Sequence, residues 1–67
     1  MKNPEELLKQ YYLTAEELTI IMPQLKIDMA RKYINEVQKE MEEKGIFVPK
    51  SKTKMALTKL IKKKFGL

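Results

Sequence analysis

Thr14-Ala15-Glu16-Glu17-Leu18-Thr19-Ile20-Ile21-Met22-Pro23-Gln24-Leu25-Lys26 is the stretch on which the fold turns. Its first four residues spell a capping box. The Thr14 hydroxyl can accept from the Glu17 amide while the Glu17 carboxylate accepts from the Thr14 amide. Leu13 and Leu18 stand at the two positions of a hydrophobic staple, which fixes the angle at which the chain enters the helix. The spacing predicts a helix from about Ala15 to Met22, with Leu18, Ile21 and Met22 facing inward and Ile20 at the edge. Pro23 stops it, because its ring drives Met22 out of the α region. The turn offers Leu25 as an apolar plug and carries Pro23 at the corner, where many helix-turn-helix units carry glycine.

Beyond the turn lies the clearest periodicity in the chain. Ile27, Ala30, Ile34, Val37 and Met41 recur at alternating intervals of three and four, with Tyr33 beside them. A helix over about 27–44 places Asp28, Lys32, Asn35 and Lys39 on the opposite face, with Arg31 flanking. Lys26 stands at its start. Arg, Lys and Asn are types that read base edges or phosphates. The later turns hold Glu36, Glu40, Glu42 and Glu43, which repel a phosphate backbone, so only the leading half of this helix suits a nucleic acid. A short capped helix, a tight turn and a longer amphipathic helix make a helix-turn-helix, whose second helix lies in a major groove. An ordinary amphipathic helix with a solvated charged face satisfies the same pattern.

The flanks are simpler. Asn3-Pro4-Glu5-Glu6 is a helix start, with a cap, a proline at the first position and acids at the positive end of the dipole. Leu7, Leu8, Tyr11 and Tyr12 form an apolar edge that predicts a helix ending near Tyr12, its tyrosines in the core. Gly45 supplies a left-handed end to the long helix. Ile46-Phe47-Val48 reads as a short strand, its partner either around Thr53 to Met55 or near Leu13. Pro49-Lys50-Ser51-Lys52-Thr53-Lys54 is then a basic loop, in the place of a wing. A closing helix is expected from Lys54 to Phe65, capped by Thr53 or Ser51, with Ala56, Leu57, Leu60 and Ile61 inward and Gly66 at its end.

Composition narrows the function. Sixty-seven residues allow one small domain, mainly α, of about four helices with a possible short β-wing. The chain has neither cysteine nor histidine and only two glycines, which removes thiolate and imidazole chemistry, the usual zinc ligands and a phosphate loop. The reading is of a non-enzymatic protein with no cofactor and no metal. The absence of an apolar leader or span predicts a cytoplasmic location. The net charge is +5, and it is segregated: all nine acids lie before Lys44, and the remainder of the chain carries lysines alone. A polyanion is the natural partner of such a half.

The segments Leu13-Thr14-Ala15-Glu16-Glu17-Leu18, Ala30-Arg31-Lys32-Tyr33-Ile34 and Glu42-Glu43-Lys44-Gly45-Ile46-Phe47-Val48-Pro49 together resemble the small excisionase-like winged helix-turn-helix proteins of phages and integrative elements. The resemblance covers about residues 13–50. It implies binding to double-stranded DNA without chemistry, either as a recombination directionality factor beside an integrase or as a small transcriptional regulator acting on RNA polymerase. The residues it would use are Lys26, Asp28, Arg31, Lys32, Asn35 and Lys39 towards the major groove, and Lys50, Ser51, Lys52 and Lys54 on the backbone. The competing reading is a non-catalytic protein–protein adaptor module with a basic surface.

Overall fold

A computed structural model describes residues 3–50 and 52–67. The order of elements is α1 (Pro4–Leu8), β1 (Tyr12–Thr14), α2 (Ala15–Ile21), α3 (Ile27–Glu43), β2 (Met55–Leu57) and α4 (Thr58–Phe65). The domain is thus mainly α, with four helices and a two-stranded antiparallel sheet in which Tyr12 faces Leu57, Leu13 faces Ala56 and Thr14 faces Met55.

The helix-turn-helix follows from local chemistry. Thr14 Oγ1 accepts from the Glu17 amide at 3.2 Å, and Glu17 Oε1 accepts from the Thr14 amide at 3.0 Å, so both arms of the capping box are made. Leu13 and Leu18 are fully buried, as the staple requires. Ahead of Pro23 the backbone of Met22 leaves the α region (φ −125°, ψ 80°). The Leu25 amide then donates to the Met22 carbonyl at 2.9 Å, and Leu25 packs against the core as a plug between the helices. The stripe of α3 is buried at Ala30, Ile34, Val37 and Met41, joined by Leu7, Leu13, Leu18, Ala56, Leu60 and Ile61 in one core. At the end of α3 the Gly45 amide bonds the Glu42 carbonyl and the Ile46 amide bonds the Met41 carbonyl. With Gly45 at φ +73°, this is a Schellman termination.

Four expectations fail, and they share a cause. The first helix ends at Leu8 instead of Tyr12, Ile46-Phe47-Val48 forms no strand, Met55–Leu57 is a strand instead of the opening of the last helix, and Tyr11 is 71% exposed instead of buried. Each depends on the pairing of β1 with β2. A three-residue strand has no stability alone; its backbone groups need a partner. Tyr12–Thr14 finds one in Met55–Leu57, which draws Tyr12 out of a helical path and turns Tyr11 outward. Ile46 is already committed to the end of α3, and Pro49 has no amide to give. The segment therefore lies as coil, with Ile46 and Val48 against the core and Phe47 72% exposed. The cap of α4 is Leu57, with no side-chain bond, so Thr53 does not cap it. Ser51, the other suggested cap, lies outside the described residues.

Side-chain bonds hold β2 against α3. Gln38 Nε2 donates to the Met55 carbonyl at 2.9 Å, and the Leu57 amide points at Met41 Sδ at 3.4 Å. On the other flank of α3, Tyr33 meets Phe65 of α4 edge-to-face, with ring centres 5.0 Å apart. No helix among the described residues is long and apolar enough to cross a membrane.

Candidate nucleic-acid interface

Two elements build the surface. α3 contributes its outward face, set by the burial of the Ala30-Ile34-Val37-Met41 stripe. That leaves Asp28, Arg31, Lys32 and Lys39 exposed and Asn35 half-buried. The segment leading into β2 contributes Lys50, Lys52 and Lys54, all exposed. The Gln38–Met55 bond and the sheet register fix where that segment reaches α3.

They meet in one place. Arg31, Asn35, Lys52 and Lys54, with Ala15, Glu16 and Thr53, line a single hollow of about 300 Å³. Lys54 Nζ donates to Asn35 Oδ1 at 3.0 Å and bridges loop and helix directly. Among the described residues no other side-chain bond engages Asn35, so one oxygen lone pair and both amide hydrogens are left, the donor–acceptor pair that matches an adenine edge. Lys32 and Lys39 lie around the helix from Asn35 by about 60° and 40° at 3.6 residues per turn, on the same outward face but outside the hollow.

The remaining candidates are placed as follows. Lys26 is the N-cap residue of α3, extended and exposed, with no side-chain cap bond. Asp28 sits in the first turn, where a carboxylate suits the helix dipole; towards DNA it would accept from a cytosine amine and repel phosphate. Lys50 is exposed but does not line the hollow. Ser51 lies outside the described residues. Glu16 adds a negative charge at the α2 rim of the hollow.

Two acids of the later turns, Glu36 and Glu40, are turned elsewhere, whereas Glu42 stays exposed about 20° around the helix from Asn35, two turns further along. Glu36 pairs with Lys64 of α4 at 3.4 Å and Glu40 with Lys44 at 3.8 Å. Both pairs are solvent-exposed and contribute little to stability, but they show where the acidic flank of α3 looks. It faces α4, whose Lys64 also lies 5.8 Å from the centre of the Tyr33 ring. α4 thus covers the Tyr33–Glu36 side and leaves the Arg31–Asn35 side open.

Sequence reasoning missed two exposed aromatics, Tyr11 and Phe47. Phe47 had a usable signal, as the outward member of an alternating Ile46-Phe47-Val48 run whose neighbours both face the core. No protein-family model, curated protein or solved structure matches the chain.

Proposed function

We propose that this protein binds duplex DNA, with the leading turns of α3 in the major groove and residues 49–54 along an adjoining backbone. The observation that carries the reading is the shared hollow, in which Arg31 and Asn35 of the helix stand beside Lys52 and Lys54 of the loop. An α-helix fits the B-form major groove, and α3 at 17 residues is about 25 Å long. Its basic and amide-bearing N-terminal half can therefore enter while the Glu-rich half stays outside. In this reading Asn35 contacts base edges, and Arg31, Lys32, Lys39, Lys50, Lys52 and Lys54 contact phosphates. The role is that of an excisionase-like directionality factor or a small transcriptional regulator, supported by the sequence resemblance. An integrase or RNA polymerase would be the protein partner.

The test is fluorescence anisotropy with a random duplex and the full chain. Binding at low salt should weaken by about 10³-fold or more between roughly 50 and 200 mM salt. Undetectable binding to any duplex at low salt removes the proposal. The second reading, a protein adaptor, is favoured by one observation, the 72% exposure of Phe47 just ahead of the basic loop. An apolar contact there would respond little to salt.

A further inference from the structure

Tyr11 ahead of β1, the end of α3 and the outer side of α4 enclose a second hollow that the DNA reading does not use. It measures about 470 Å³. Its carbon surface comes from buried Leu57 and Leu60, half-buried Ile46 and the exposed ring of Tyr11. Lys44, Lys59 and Lys63, all exposed, complete the lining. None of these residues is acidic, and none belongs to the hollow beside Asn35. Lys59 and Lys63 stand one turn apart on α4 and make no ion pair among the described residues. Lys44 holds Glu40 at 3.8 Å in a solvent-exposed pair. The walls are fixed before anything binds. The Tyr11 carbonyl accepts from the Thr58 amide at 3.0 Å, and the Tyr11 ring meets Tyr12 edge-to-face with ring centres 4.7 Å apart. The Ile46 amide is held by the Met41 carbonyl at 2.8 Å. A surface set in advance loses less freedom on binding.

We propose that this hollow docks an acidic segment of a partner protein. One apolar side chain of that segment lies against Tyr11, Ile46 and the two leucines, and its carboxylates meet the lysines. The chemistry selects that occupant. Carbon surface flanked by cations without acids complements an apolar anchor flanked by carboxylates. A duplex backbone would meet the lysines with phosphates but has no side chain to fill the hollow. A second copy of the chain does not fit either. Tyr11, Met29, Phe47 and Leu67 are its exposed large apolar side chains among the described residues, and within three positions of each the bases outnumber the acids. The surface uses none of the residues assigned to DNA, so a duplex and a protein can be held at once, and the inference does not depend on the DNA reading.

The experiment titrates the full chain with a short synthetic peptide of aspartates and glutamates around a central Leu-Phe pair and follows amide chemical shifts. The amides of Tyr11, Ile46, Lys59 and Lys63 should move saturably while those of Arg31 and Asn35 stay in place. Replacing the Leu-Phe pair by serines, or Tyr11 by alanine (Tyr11→Ala), should each weaken binding by about ten-fold. The double substitution Lys59→Gln/Lys63→Gln should weaken it several-fold. Tyr11 and both lysines are exposed, so the variants should keep an otherwise native spectrum. No saturable shift at those amides, or equal binding of the serine peptide, overturns the site. Displacement of the peptide by a duplex that moves the same amides also overturns it, and makes the surface part of a nucleic-acid interface. A sedimentation mass that rises with concentration, together with those shifts, overturns it in favour of a contact between copies.

Discussion

Lys52→Ala isolates the electrostatic part of the proposed interface. Lys52 is exposed, lines the hollow beside Asn35, and makes no hydrogen bond or ion pair among the described residues. Its removal should leave the thermal unfolding curve in place. Lys54 would be a poorer choice, since its loss also releases Asn35. Arg31, Lys32, Lys39, Lys50, Lys52 and Lys54 offer about six phosphate contacts, which gives a slope of log affinity against log salt of about −5.4. Over a rise from roughly 50 to 200 mM salt that is a loss of about 2,000-fold. Without Lys52 the slope becomes about −4.5 and the loss about 500-fold, so the two titrations differ by roughly 3.5-fold across the range. The assay is anisotropy at several salt concentrations with two duplexes of unrelated sequence. The slopes should change equally on both. Parallel wild-type and variant lines would refute the placement of Lys52 on the backbone. A change confined to one duplex would show instead that Lys52 reads bases.

Other substitutions probe different links. Asn35→Ala should relax preference at a single base position by about 1–3 kcal/mol; a selection experiment showing equal loss at every position would take Asn35 off the reading face. Thr14→Ala removes the acceptor for the Glu17 amide and should lower stability by about 1 kcal/mol in urea unfolding; an unchanged midpoint would mean the capping box contributes nothing. Gly45→Ala meets no atom within 4 Å but must hold φ +73°, so the expected penalty is backbone strain alone, about 1–2 kcal/mol by calorimetry. Ile34→Ala in the buried stripe should cost about 3 kcal/mol. In a domain of this size that approaches the whole stability, so its circular dichroism should show a largely unfolded chain at room temperature.

What was legible in the sequence was local. The capping box, the staple, the Pro23 stop and the Gly45 termination each involve residues within five positions of one another, the stripe of α3 repeats at steps of three and four, and the structure has each of them. Met55-Ala56-Leu57 was illegible because Ala56, Leu57, Leu60 and Ile61 make a sound helical stripe on paper. Only Tyr12–Thr14, some forty residues away, makes a strand the better solution. The meeting of Arg31 and Asn35 with Lys52 and Lys54 was foreseeable as a shared face, but the Lys54–Asn35 bond was not, since it depends on where β2 docks. Lys50, expected on the same surface, stays off the hollow, because the segment before it follows the core through Ile46 and Val48.

The pairing of β1 with β2 ties the chain just before the capping box to the chain just after the basic loop, so that everything between them hangs as one closed ring. Contacts so far apart along the chain form late, because the entropy of closing the ring comes due before any of them is gained. The helices of the ring can form early, whereas Lys52 and Lys54 reach Asn35 only once the ring has shut. On that order of events, the proposed binding of DNA should be the last property to appear during refolding and the first to vanish under mild denaturant, ahead of the helical signal.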